Sequence, residues 1–485
     1  MKISPHPEWA TKFRKPGTEL RLINGKYYLY ECHSKYDKIA KKSKKISGKI
    51  LGSITEDKGF IESEKSKLRR MAYEFPKNVS VREYGASKFI FDYNDDIIQS
   101  LKETFPDYWA EIASMACIRL LHQSPIKNLD FNFEHSYNSI LFPNTKMNDK
   151  FISQMLRIIG INRESAVEFM KSLSYNGDNL LIDLTNVTSK SKNIEIAHQG
   201  YNSKRNFDPQ INLMLIFSAT KKEPAFFRVT PGNIREVKSL LLTLKESEIK
   251  KATLISDKGF YSDDNINELD KSGILYILPM RRNNKMIDYK PVSLANKSGL
   301  HGYFKFDERY IWYNEKKIGK KRVIIYLDED LKRSEEKDYL DRIEEHKEGY
   351  TFDGFKEKSM SMGTISLLTS VEDKSAEEIY KTYKCRADIE QMIDVMKNDL
   401  EVDRTYMQNE EALKGWIFVN FIALIFHYRI YKLLSENELL SKYSVKDFLL
   451  YLSEIKKLKI DNQWGLGEIN CKILALLKKL KISIT

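Results

Sequence analysis

Between residues 180 and 280, short apolar runs alternate with segments of helical periodicity. Leu180–Thr185, Gln210–Phe217 and Ala225–Thr230 read as three strands. Pro231-Gly232-Asn233 then turns the chain into a helix over Glu236–Lys245. The strand Ala252–Ser256, the helix Ser262–Lys271 and the strand Ile274–Pro279 complete the segment. The order is therefore β-β-β-α-β-α-β.

The flanks follow other patterns. Residues 1–78 alternate as a small basic β-rich domain. In it Tyr27–Tyr30 follow the turn Asn24-Gly25, and Lys41, Lys42, Lys44 and Lys45 surround a second turn before the strand Lys49–Ile54. That hairpin suits a DNA backbone or plain solvent equally well. Residues 79–175 read as helices, with one over Asp107–Leu121 and another capped by Asn148. Packing is their default role, with DNA-end binding or dimerisation also open. After a first α/β part over 176–282, residues 283–362 break the pattern. There Tyr303–Tyr313 and Lys321–Leu327 alternate as strands before a charged helix, Asp328–Lys347, which together read as a β-rich insertion. Residues 363–434 resume the core with the strand Gly363–Thr369 and a helix starting near Ser375. The apolar run Trp416–Leu434 contains Asn420, His427, Arg429 and Lys432, so it reads as a buried core helix and not a membrane span. A helical region, 435–485, ends the chain.

Composition narrows the class. The chain has 485 residues, 80 Lys+Arg against 68 Asp+Glu and a net charge of +12, which suits a polyanionic partner such as nucleic acid. Cys32, Cys117, Cys385 and Cys471 are scattered without a CxxC pair, which suggests neither a zinc site nor a disulfide framework. The N-terminus lacks an apolar signal core. A cytoplasmic, nucleoid-associated protein is expected.

Candidate chemistry lies in three places. Asp183 sits in the middle of the first apolar strand, where desolvating an unpaired carboxylate is costly. It is hydrogen-bonded by a neighbour or it holds a metal ion; the residue alone leaves both open. Asp257 ends the fourth strand ahead of Lys258-Gly259, where α/β folds place ligands. Tyr383, Arg386, Glu390 and Lys397 fall within roughly 60° of one another on a helical wheel. A solvated face with an Arg386–Glu390 pair is the plain reading of that helix. Three antiparallel strands followed by α/β alternation is the order of the RNase H-like fold. That fold carries one carboxylate on its first strand and one at the end of its fourth, where Asp183 and Asp257 lie.

With these motifs the chain resembles the DDE transposases of bacterial insertion sequences, the IS-four group. Their third carboxylate lies in a helix of pattern Y-x2-R-x3-E-x6-K, which Tyr383, Arg386, Glu390 and Lys397 match in all positions. Ile182-Asp183-Leu184-Thr185, Ser256-Asp257-Lys258-Gly259-Phe260-Tyr261 and Arg228-Val229-Thr230-Pro231-Gly232-Asn233 also resemble the family, as does the apolar helix after Glu411. The resemblance covers about 180–430. It implies an RNase H-like catalytic core interrupted by a β-rich insertion. It also implies a transposase that cuts double-stranded DNA at the terminal inverted repeats of its insertion sequence and joins the ends to target DNA. Two Mg²⁺ ions, replaceable by Mn²⁺, would be held by Asp183, Asp257 and Glu390, because hard divalent ions take carboxylate oxygens and a pair of them serves both ends of an in-line displacement. Tyr383, Arg386 and Lys397 would contact the DNA end. Trp312, the tryptophan of the insertion, is a candidate stacking platform for a flipped base, with a packed core residue as its alternative. Lys204, Arg205, Arg281 and Arg282 are candidate backbone contacts. Cutting and joining two ends together implies a homodimer in the synaptic complex. Two rivals stand beside this reading. One is another RNase H-like metal-dependent nuclease, which would not need the Tyr-Arg-Lys register. The other is a non-catalytic DNA-binding protein derived from a transposase, against which the three intact carboxylates speak.

Overall fold

The computed structural model describes residues 5–37, 41–74, 79–173, 179–200, 208–234, 236–249, 252–294, 296–460 and 463–484. The chain divides into two compact units, Met1–Ser80 with Leu458–Gly465, and Val81–Lys457 with Leu466–Thr485.

The first unit holds an antiparallel sheet of β1 (Thr18–Ile23), β2 (Lys26–Asp37), β3 (Lys42–Thr55) and β4 (Gly59–Glu62), in that order. Asn24 and Gly25 both have positive φ, 46° and 74°, so their turn matches the twist of the strands it joins. Ala10, Leu20, Leu29 and Ile54 form a small core, flanked by Trp9, Phe13, Tyr27, Leu51 and Phe60.

The second unit is mixed α/β. Its main strands are β5 (Asn179–Ser189), β6 (Gln210–Ser218), β7 (Glu223–Pro231), β8 (Thr253–Ile255), β9 (Leu275–Pro279), β10 (Gly302–Phe306), β11 (Arg309–Ile318), β12 (Lys321–Asp328) and β13 (Thr364–Thr369). They form one sheet in the order β10-β11-β12-β13-β9-β8-β5-β6-β7, with a short β14 (Arg404–Thr405) on β5. β5 runs antiparallel to β6 and parallel to β8, and β9 is parallel to β8. Every residue of β6 is buried, as expected of a central strand covered on both faces.

The insertion strands lengthen this same sheet, because β13 pairs with β9 on one side and β12 on the other. The segment Tyr303–Tyr313, expected as one strand, is a hairpin. Its turn uses Asp307 and Glu308, both with positive φ (45° and 63°). Neither residue is the glycine or asparagine that usually marks such a turn. The expected helical region 435–485 contains two short strands, Lys456–Ile460 and Gln463–Leu466, beside its helices.

The principal helices are α1 (Trp109–His122), α2 (Asp149–Ile161), α3 (Arg163–Ser172), α4 (Glu236–Ser247), α5 (Asp263–Lys271), α6 (Glu329–Glu344), α7 (Ala376–Lys384), α8 (Arg386–Asp394) and α9 (Glu410–Glu436). α9 is the core helix that the apolar run foretold. It is long and apolar enough to cross a membrane by composition, but 78% of its most apolar stretch is buried inside the fold. It packs on α1, α2 and β7. Phe418 meets Phe105 and Phe169 from the helical layer, and Phe421 meets Phe227 from the sheet. The helical stretch before residue 175 and the sheet after it thus share one core.

α2 and α9 cross with backbone against backbone. A Cβ on Gly160 would collide with the Glu411 carbonyl, and one on Gly415 with the Leu156 carbonyl. Gly415→Ala should therefore destabilise the second unit by at least about 2 kcal/mol in chemical denaturation, since neither backbone can yield cheaply. An alanine variant as stable as the wild type would refute the crossing.

His427 lies inside α9, and burial holds its imidazole down at about 4 against the ordinary 6.5. The unfolded chain takes up this proton first. Stability from the neutral ring is therefore complete above pH 6.5 and is lost as pH falls toward 4, by up to about 3 kcal/mol. His427→Leu should flatten that pH dependence in denaturation midpoints taken at pH 7 and 4.5. Equal slopes for variant and wild type would contradict it.

Candidate catalytic site

The pairing of β5 with β8 aligns two carboxylates. Asn179, Leu180 and Leu181 pair with Thr253, Leu254 and Ile255. Continuing that register by two residues brings Asp183 level with Asp257. Parallel neighbours lie about 4.8 Å apart, and residues level with each other share a face. Asp183 is half-buried, and the Leu184 N–H donates to its Oδ1 at 2.8 Å. Asp257 stands just past the end of β8, where the chain tightens into a single 3₁₀ turn, Lys258–Phe260. It caps that turn by accepting from the N–H groups of Gly259 (2.8 Å) and Phe260 (3.2 Å). Both bonds fall on Oδ1, so the other oxygen is the one available to an outside ligand.

The third carboxylate arrives on a helix of three pieces. Ser375 and Glu378 form a capping box that starts α7. The insertion strands support α7: the Tyr326 hydroxyl donates to the Ala376 carbonyl at 2.7 Å, and Tyr380 packs against Phe304, Phe306 and Tyr326. At Cys385 the path tightens, with Asp388 N–H donating to the Cys385 carbonyl. α8 follows and packs against β5. Lys222 pairs with Asp388 on α8, and the Tyr428 hydroxyl from α9 reaches the Asp388 carbonyl at 3.5 Å. Val395–Asp399 then widen into a π turn.

This departs from the single regular helix that the wheel assumed. Tyr383, Arg386 and Glu390 still meet on one side. Burial pushes the Tyr383 phenol up, Arg386 opposes this by charge and a hydrogen bond, and the nearby carboxylates of Asp257 and Glu390 add to the rise. Lys397 lies in the π turn and is half-buried. A wider turn advances each side chain by somewhat less than 100°.

The Arg386 guanidinium pairs with Glu390 at 2.6 Å. Among the described residues, no three His, Cys, Asp or Glu side chains gather closely enough to hold a metal ion. Even so, the donors are of the right kind. Two aspartates in register and a glutamate on the helix over β5 supply hard oxygen ligands, as a divalent cation requires. Arg386 provides the positive charge beside Glu390.

The remaining candidates are dispersed. Arg282 is held by Glu335 at 2.8 Å and the Thr364 carbonyl at 3.3 Å, and Arg281 is exposed. Trp312 is partly buried, with its ring 5.0 Å from Tyr303 and Lys297 Nζ 5.7 Å above it. Lys204 and Arg205 lie outside the described residues.

Sequence reasoning passed over two groups. Arg119 is buried in α1, where its guanidinium donates to Asn420 of α9 (3.1 Å), to the Ser124 carbonyl (2.8 Å) and to the Leu400 carbonyl just after the π turn. Burial lowers it to about 10, so it stays protonated at neutral pH. Gln210 and Asn212 are buried amides in an apolar strand. Gln210 exchanges backbone hydrogen bonds with His198, and the Asn212 amide donates to the Gly232 carbonyl at 3.2 Å. Two amides in β6 are the visible signal; an arginine within a helix gives none.

Residues 177–426, a little over half the chain, match the family described as Transposase DDE domain. Among solved structures, the chain is similar to the piggyBac transposase synaptic complex with hairpin DNA, at 12% identity and a TM-score of 0.38, over 78% of this chain and 82% of that one. That likeness is too remote to carry function. No curated protein matches the chain.

The cap separates structure from chemistry at Asp257. Asp257→Ala should cost about 1 kcal/mol in chemical denaturation, while Asp257→Asn, which can still accept both N–H bonds, should cost only a few tenths. Equal losses for both would show that the cap is not what holds the turn.

Proposed function

The chain belongs to the transposase DDE domain family, and from that premise we propose that it cuts DNA at the terminal inverted repeats of its own element and joins those ends to target DNA. DDE transposases cleave and transfer DNA strands and use a divalent metal. The finer reading is an IS-four-type enzyme with an RNase H-like core, acting as a homodimer on two ends. Its main support is the parallel β5–β8 pairing, whose register continued by two residues would set Asp183 beside Asp257, together with the packing of the Glu390 helix on β5.

In the proposed reaction water attacks a phosphodiester and the bond to the 3′ oxygen breaks; the freed 3′ hydroxyl then attacks a phosphodiester of the target, giving up its proton as the target strand's own 3′ oxygen leaves and takes one up. Asp183, Asp257 and Glu390 would hold two Mg²⁺ ions, or Mn²⁺ in their place, which would supply Lewis acidity at the scissile phosphate and charge stabilisation at the leaving oxygen. Asp183 and Asp257 offer carboxylate oxygens from neighbouring strands. Glu390 joins them when Arg386 turns from it to a DNA phosphate, for which its planar fork is well shaped. Tyr383, its phenol kept protonated by burial, donates a hydrogen bond toward the same phosphates. Lys397 adds a point charge further along the strand.

Cleavage of a duplex carrying the inverted repeats that flank the gene tests this. EDTA should abolish cleavage, and Mg²⁺ or Mn²⁺ should restore it. Asp183→Ala, Asp257→Asn and Glu390→Gln should each lower the rate by about a hundredfold or more with the fold intact. Normal cleavage by any of the three would remove that residue from the metal site. Arg386→Ala should lower cleavage about tenfold by removing a phosphate contact. Wild-type rates in that variant would return Arg386 to a structural partner of Glu390.

A further inference from the structure

The first unit carries an arm that its small core does not explain. β1 pairs with β2 only as far as Glu31, and β4 pairs with β3 only from Gly52 onward. Beyond those limits β2 and β3 continue as a two-stranded ribbon, from the Cys32–Ser47 pair to the Asp37–Lys42 pair. Register shifts at Tyr30 mark where the ribbon leaves the sheet. At about 3.3 Å per residue the ribbon reaches roughly 17–20 Å. Residues 33–37 and 41–45 are exposed throughout, so neither face is covered. An uncovered two-stranded ribbon gains little stability of its own in water.

Its charge is one-sided. Lys35, Lys41, Lys42, Lys44, Lys45 and Lys49 stand against the single carboxylate of Asp37 in residues 32–37 and 41–49. The register puts Lys35 directly opposite Lys44, and on the same face two residues further out Lys42 stands opposite Asp37, so three lysines share that face with one carboxylate. Opposed like charges destabilise a strand pair unless an anion lies over them. Lys45 points to the other face, where it meets Glu19 at 2.9 Å beside the exposed Tyr36.

We infer that this ribbon grips duplex DNA, with Lys35, Lys42 and Lys44 on backbone phosphates. The inference rests on the reading of the chain as a DNA enzyme and adds where the duplex is held. A ribbon of two strands about 4.8 Å apart, with its side chains, fits a major groove about 12 Å wide. Its lysine-rich face matches a polyanion.

The test uses the full-length protein and a fluorescein-labelled 30-base-pair duplex, with anisotropy read from 50 to 200 mM salt. The triple variant Lys35→Ser, Lys42→Ser, Lys44→Ser should bind at least about tenfold more weakly at 100 mM salt. Its slope of log affinity against log salt should fall by about three, one for each lost phosphate contact. A control variant, Lys316→Ser, Lys317→Ser, Lys320→Ser, removes the same charge from an exposed hairpin of the second unit and should retain the wild-type slope. An unchanged affinity and slope in the ribbon variant would overturn the inference, as would an equal loss in the control. If the wild-type protein itself failed to bind the duplex, the transposase reading would fall and the ribbon proposal with it.

Discussion

The burial of one long helix shapes the second unit. The middle of Glu410–Glu436, from Gly415 to Tyr428, is mostly apolar around the whole helix and is covered on every side. The helical layer supplies one wall and the sheet the other, and Gly160 and Gly415 let two backbones touch where side chains would hold them apart. The same helix carries Asn420, which receives Arg119, and Tyr428, which reaches the backbone of α8. Through these contacts the core governs the position of the helix that bears Glu390. A buried polar link of this kind positions its partners because leaving any of its groups unpaired would be costly.

The site itself is a balance of charges. Asp183 lies on β5 and Asp257 just past the end of its parallel neighbour β8. Glu390 lies at the edge of the same region and is paired with Arg386. Such a partly exposed pair contributes little to stability and is easily exchanged. That suits the exchange of partners proposed for Glu390 and Arg386.

The insertion joins this arrangement through contacts with α7. Its strands lengthen the central sheet, and Tyr326 and the aromatic cluster around Tyr380 hold the first turns of the helix that leads to the site. A β-rich segment far from the carboxylates in sequence therefore helps to aim one of them.

Much of this was legible in the residues. Periodicity located the strands around Asp183 and Asp257, the capping signals at Asn148 and Ser375, and the apolar helix, because each depends on neighbours within a few positions. The spacing of Tyr383, Arg386 and Glu390 foretold one shared side for the same reason. What periodicity did not reveal depends on partners far away in sequence. The Asp307-Glu308 hairpin turn takes left-handed backbone without glycine, held by the ladder on either side. The π turn that holds Lys397 ends beside a buried arginine nearly three hundred residues earlier. The pairing of the strand that carries Asp183 with the strand that leads to Asp257 comes from hydrogen bonds between two segments that local pattern identifies separately and only tertiary structure brings side by side.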